Sequence, residues 1–383
     1  MVKESVKLMR ARAAPRERGR PARFKSACRK LSLAALSLAS ILVLSAAAWN
    51  EGNNVNYWDE FEIRRTLQLP SDNSIGNVLT DPKSRQLLIA RADRVEIFDM
   101  GSGAKVSEID GMLTASRLAI APEFQKAFVS SSRENCVRIL DLKTGEKTGR
   151  TNTGRMPHEL VYDAPSKTLF VLNSGDKTLT LIQASTAKSL GQILLEGSPR
   201  SAISDCAGQL FVTLDKSNKI QIIDTAKSKL SASWVLPEGA IPQALALDLG
   251  GRRLFCACQN KQLLVLDLDN GKLIATLPIG AGATACVFDA KAKNVFCANS
   301  EDGTLSVIHE ENPDNLALVQ TITTGKGAQS MAFDEQNSEL WLIISATAQA
   351  LILGKHVPVD DGVPFSRRNA AFLPIRTQLF RDV

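Results

Sequence analysis

Seven copies of one unit of about 40 residues succeed one another along this chain, and that period restricts the fold more than any other feature. A turn recurs at Asp81, Ala121, Asp163, Asp205, Asp248, Asp289 and Asp334, at spacings of 40, 42, 42, 43, 41 and 45 residues. Repeats of this length build propellers or solenoids, because a single unit cannot bury its apolar faces without neighbours. Shortly past each turn an aromatic residue or Leu opens a second strand. These strands read Leu88-Ile89-Ala90-Arg91, Phe128-Val129-Ser130-Ser131, Phe170-Val171-Leu172-Asn173 and Phe211-Val212-Thr213-Leu214. They continue as Phe255-Cys256-Ala257-Cys258, Phe296-Cys297-Ala298-Asn299 and Trp341-Leu342-Ile343-Ile344. A third strand ends near Asp99, Asp141, Gln183, Asp224, Asp267, His309 and Leu353, and turns such as Lys143-Thr144-Gly145 lead into a fourth. Four short strands with turn residues at each junction exclude a helical repeat. First strands such as Leu160-Val161-Tyr162 and Leu245-Ala246-Leu247 are apolar at successive positions, so both faces of each sheet are expected to be covered by neighbouring units. The pattern predicts an all-β, seven-bladed β-propeller.

The two ends of the repeat array predict how the ring closes. Glu62–Leu69 (EIRRTLQL) reads like the fourth strand Lys272–Ile279 (KLIATLPI), yet it precedes the first unit. The seventh unit shows no fourth strand after Leu351-Ile352-Leu353. The N-terminal strand is therefore expected to complete the last blade. The organisation that follows is a basic region at 1–30, an apolar segment at 31–48 and a linker at 49–60. The propeller then occupies 61–357, and a tail at 358–383 carries Pro358, Pro364 and Pro374.

The leader holds the chain's charge excess. Eleven of the 46 basic residues and two of the 40 acidic ones fall within residues 1–30, which leaves 35 basic against 38 acidic, a net −3, for the rest. A near-neutral body offers no clustered basic face for nucleic acid, and none is expected as a partner. Leu31 to Ala48 runs without a charge and ends in Ala46-Ala47-Ala48 before Trp49. This is the three-part plan of a secretory signal, and the run is also just long enough to span a bilayer. Two readings stay open: a cleaved signal peptide, or an uncleaved anchor that makes residues 31–48 the only membrane contact. Both carry the body across the membrane, to a periplasmic or extracytoplasmic location.

Residues 61–355 resemble the bacterial YVTN-repeat β-propellers. The resemblance rests on the second-strand tetrapeptides, on third strands such as Val265-Leu266-Asp267, and on the inter-blade Gly154 to His158 segment (Gly-x-x-Pro-His). It implies an exported envelope protein that acts through one face of its ring. No repeat unit carries the Gly-His or Trp-Asp signature of WD40 blades, and only Trp234 sits near a blade-ending Trp of the quinone-cofactor kind.

Function is expected where the inter-blade loops reach the channel mouth. Five residues before each turn stand Gly76, Ser116, His158, Arg200, Gln243, Thr284 and Gln329. Six of these are polar, so Ser116, His158, Arg200, Gln243, Thr284 and Gln329 form a candidate ligand-binding collar. The same polarity would serve simply to solvate a water-filled channel. His158 has the chemistry of a base or ligand, while strand alternation turns Glu159 to the other face. The collar then has no carboxylate, no metal site is expected, and His309 and His356 lack metal-ligand spacing. Cys136, Cys206, Cys256, Cys258, Cys286 and Cys297 read as small core hydrophobes, and the absence of Cys-x-x-Cys-His excludes covalent haem. The Asn- and Gly-rich loops at 173–177 and 299–303 read as tight turns.

No cofactor is indicated. The reading is a non-catalytic binding or scaffold module whose partner is an envelope protein, a peptide or a small polar ligand. The alternative is a propeller hydrolase of lactonase type, with His158 as base and Arg200 as oxyanion donor.

Overall fold

In the computed structural model the described residues are 60–71, 75–81 and 84–356. The basic region, the apolar segment 31–48, the linker up to residue 59 and the tail from residue 357 lie outside them. Twenty-eight strands form seven four-stranded antiparallel sheets, and the one helical element among the described residues is a 3-10 turn at Pro122–Phe124. The first blade is β2 (Ile75–Asp81), β3 (Gln86–Arg91), β4 (Arg94–Asp99) and β5 (Lys105–Asp110), in that spatial order. All seven second-strand tetrapeptides fall inside second strands, as the repeat predicts.

The N-terminal strand closes the ring. β1 (Phe61–Gln68) pairs antiparallel with β28 (Gln349–Lys355), giving the last sheet the order β1-β28-β27-β26. Here β26 is Ala328–Asp334 and β27 is Glu339–Ile344. The strand is also tied to both neighbouring blades. The Phe61 N–H donates to Gln320 Oε1 and the Phe61 carbonyl accepts from Gln320 Nε2, both at 2.9 Å. On the other side Arg65 Nη1 donates to the Gly101 carbonyl at 2.9 Å.

The core is seven clusters rather than one, and each is drawn from two adjacent blades. Leu87 and Ile89 of the first blade, for example, pack with Trp341 and Ile343 of the seventh. The other six clusters repeat this around the ring. The second strands begin two residues earlier than expected, and Leu88, Phe128, Phe170, Phe211, Phe255, Phe296 and Trp341, their third residues, are no more than 2% exposed. A blade taken alone would turn both of these faces to water, so closure of the circle is what makes the burial favourable.

The first strands meet the expectation unevenly: Leu245 and Ala246 on β18 (Pro242–Asp248) are buried, whereas Val161 and Tyr162 are only half-buried. In β10 (Pro157–Asp163) only every third residue is fully buried, whereas β11 (Thr168–Asn173) is buried throughout. Each first strand is the inner edge of its sheet and faces the channel, so the doubly covered strand is the second. The recurrent Asp of the repeat has a local cause. Asp205 Oδ1 accepts from the N–H groups of Ala207 and Gln209, and Asp248 accepts from those of Gly250 and Gly251. A buried carboxylate thus satisfies turn donors that would otherwise be orphaned.

Candidate functional site

The inner strands begin one residue before the collar, at Ile75, Ala115, Pro157, Pro199, Pro242, Ala283 and Ala328. Each then slips register against its partner within three residues. Such a bulge breaks strict alternation, so consecutive side chains both stay near the inner rim. This is why Glu159 does not leave the mouth as alternation requires. It accepts from Arg117 Nε at 3.1 Å, with the two side chains 21% and 28% exposed. A carboxylate therefore does stand beside the collar, and Arg117 and Glu159 are rim residues that periodicity alone overlooks. In three of the seven blades a Pro, at 157, 199 and 242, stands just ahead of the bulge and is the sequence signal for it.

Inner-rim side chains connect six of the seven blade junctions. The Leu118 N–H donates to Asn77 Oδ1 at 2.9 Å, and Arg117 pairs with Glu159. His158 Nε2 meets the Arg200 carbonyl at 3.0 Å, and Arg200 Nε donates to Gln243 Oε1 at 2.9 Å. Thr284 Oγ1 donates to the Ala328 carbonyl at 2.8 Å, and the Val78 N–H to Ser330 Oγ at 3.0 Å. Ser116 turns inward to Ser130 at 3.0 Å, whereas Gln329 is exposed and makes no hydrogen bond among the described residues. Of the six proposed collar residues, the structure thus brings His158, Arg200 and Gln243 into one chain of contacts. It sets Thr284 and Gln329 apart from that chain, and Ser116 reaches it only through Ser130, whose hydroxyl donates to the His158 carbonyl at 3.5 Å. Gly76 has no side chain to contribute because none fits: a Cβ there would lie 2.4 Å from the Ser116 carbonyl oxygen.

His158 is half-buried, and desolvation holds its pKa below the ordinary imidazole value. A carbonyl only accepts, so the ring proton sits on Nε2 and is committed to Arg200. Nδ1 is enclosed without a partner. Arg200 is exposed, and no carboxylate among the described residues pairs with it.

The other sequence-flagged chemistry resolves as packing. Cys136, Cys256, Cys258, Cys286 and Cys297 are buried and free, while Cys206 is exposed, the one departure from the core reading. Cys286 and Cys297 face each other across two strands with sulfurs 3.6 Å apart. That contact and burial together push the Cys286 thiol well above its ordinary pKa. Asn173 donates to Thr178 and Thr180, and Thr180 Oγ1 accepts from the Gly154 N–H at 3.2 Å, which fixes the loop that presents His158. Among the described residues no three His, Cys, Asp or Glu side chains converge as a metal-binding group.

No protein-family model matches the chain, and no curated protein matches it. Solved structures do. A chain of Kuenenia stuttgartiensis hydrazine synthase superposes with a TM-score of 0.66 at 15% identity, covering 77% of this chain and 98% of that one. A chain of a mitotic checkpoint complex superposes with a TM-score of 0.69 at 13% identity, covering 80% of this chain and 95% of that one. At such identities the likeness shows the propeller fold alone.

Proposed function

We propose that this chain is an exported, non-catalytic binding or scaffold module of the bacterial YVTN-repeat kind, with its partner held at the channel-mouth face. The observation that carries this reading is the state of the collar: Arg200, fastened on both sides, presents unspent donors to solvent. A chain of the same fold occurs in a mitotic checkpoint complex, which is in keeping with a partner-binding reading. The leader supports a periplasmic or other extracytoplasmic location, with an envelope protein, peptide or small polar ligand as partner. The hydrolase alternative asks His158 to act as a base. Its Nε2 proton is committed to a carbonyl and its Nδ1 is enclosed, so neither nitrogen stands ready for substrate.

Affinity capture from envelope extract tests the reading, using the intact chain and a variant with His158, Arg200 and Gln243 all changed to Ala. The variant is expected to keep its melting temperature and lose the partner. Equal capture by both proteins overturns the proposal. So does hydrolysis of a lactone panel by the intact protein that the Arg200→Ala variant cannot perform.

A further inference from the structure

Within the binding-module reading, the geometry points to the chemical class of the ligand: we infer that the Arg200–Gln243 sector of the mouth binds a carboxylate. Arg200 begins at the inner end of β14 (Pro199–Ser204) and Gln243 at that of β18 (Pro242–Asp248), in adjacent blades. Arg200 spends only Nε, on Gln243 Oε1. Both Nη nitrogens, and the Nε2 of Gln243, have no acceptor among the described residues. The Gln243 side chain is otherwise enclosed, with its residue 9% exposed, so its amide is held in place rather than sampling solvent. A guanidinium fork whose plane is fixed by a neighbouring amide matches a planar two-oxygen acceptor, and the amide adds a donor beside it.

Charge selects among the oxyanions. Arg117 is offset by Glu159, and His158 is neutral near pH 7 because burial lowers its pKa. That leaves Arg200 as the single uncompensated charge of this arc, which balances one carboxylate and not a phosphate dianion. His158 acts as a positioning residue: its Nε2 proton pins the Arg200 carbonyl, next to the Cα that carries the guanidinium side chain.

The test is calorimetric titration of the folded full chain, at matched ionic strength, with acetate, with inorganic phosphate, and with one hexapeptide carrying either a free or an amidated C-terminus. Binding of acetate or of the free-terminus peptide, with phosphate no tighter and the amidated peptide at least tenfold weaker, is the expected result. Acetate binding identifies a free small carboxylate, and peptide-only binding a displayed C-terminus; both support the site. Arg200→Lys keeps the charge but not the fork and is expected to weaken binding at least tenfold, whereas Lys227→Ala, on an outer turn, leaves it unchanged. His158→Ala weakens binding, and His158→Gln, whose amide still donates to the carbonyl, recovers part of it. Tighter phosphate binding, an Arg200→Lys variant equal to the parent, or no carboxylate binding by a protein that melts normally overturns the inference. If collar-dependent partner capture persists while no carboxylate binds, the ligand class is wrong and the binding-module reading stands. If both fail, both fall.

Discussion

The rings of Phe61 and Phe296 meet edge to face, with centroids 4.8 Å apart and planes at 78°. Phe61 opens the strand that completes the last blade, and Phe296 lies on the second strand of the blade before it, so the contact seals the junction beside the closure. Replacing Phe61 with Ala should cost about 3–5 kcal/mol, the usual range for emptying a buried Phe site. A double-mutant cycle with Phe296→Ala should return a coupling of about 1 kcal/mol for the aromatic pair. Urea denaturation measures both. A loss below about 1 kcal/mol for Phe61→Ala would mean that the ring holds without this seal.

Gly76 marks a close approach of two inner strands. A Cβ would sit 2.4 Å from the backbone oxygen of Ser116, and backbone cannot swing away as a side-chain tip can. Gly76→Ala should therefore destabilise by about 1–3 kcal/mol. Gly101→Ala, whose new methyl would approach nothing closer than 3.4 Å, should be nearly neutral. Thermal melts of the two variants, side by side, check the contrast.

The blade count and the closure were legible because they depend on spacing and on burial, and both leave marks in sequence. The aromatic residue or Leu near the head of each second strand is one such mark, and EIRRTLQL standing ahead of the first unit is another. The mouth was only half legible. His158, Arg200 and Gln243 were in view because they share one repeat position. Arg117 and Glu159 were not, because alternation was applied across a bulge that redirects one side chain in every blade. The first strands were legible only in part: Leu245 and Ala246 are buried as expected, yet the equally apolar Val161 and Tyr162 are only half-buried, on a strand with one edge open to the channel. Hydrophobicity reports what can be buried, and sheet position decides how much is.

Thiol chemistry should separate the cysteines of the body into two classes. Cys206 is exposed, whereas Cys136, Cys256, Cys258, Cys286 and Cys297 are buried. Burial raises the pKa of Cys136, and contact with Cys297 followed by burial raises that of Cys286, so both stay in the unreactive thiol form. Treatment of the native protein with a maleimide, read by peptide mass spectrometry, should modify Cys206 within minutes. The other five should react only when denaturant is added. Fast native labelling of Cys286 or Cys297 would show that the junction of the fifth and sixth blades opens readily.

Glu310 gives the fold a pH dependence of defined sign. It lies on β24 (Thr304–Asn312), 1% exposed, and neither carboxyl oxygen has a hydrogen-bond donor. Burial and then the negative charge of Asp248 push its pKa from 4.5 up to about 7, against weaker pulls from Lys293 and Arg253. Lys293 Nζ is already shared between both Asp248 oxygens at 3.2 Å, which is why it offsets so little. The folded chain thus holds this proton more tightly than the unfolded chain. Its contribution to stability is complete below pH 4.5, declines as the pH rises, and is gone above about 7. Glu310→Gln keeps an N–H to offer Asp248 and cannot ionise, so it should remove that decline. Stability measured by denaturation at pH 5 and pH 8 should fall by on the order of 2 kcal/mol more in the parent than in the variant. Other titrating groups contribute equally to both proteins, so parallel profiles would mean that Glu310 keeps an ordinary carboxylate pKa in the fold.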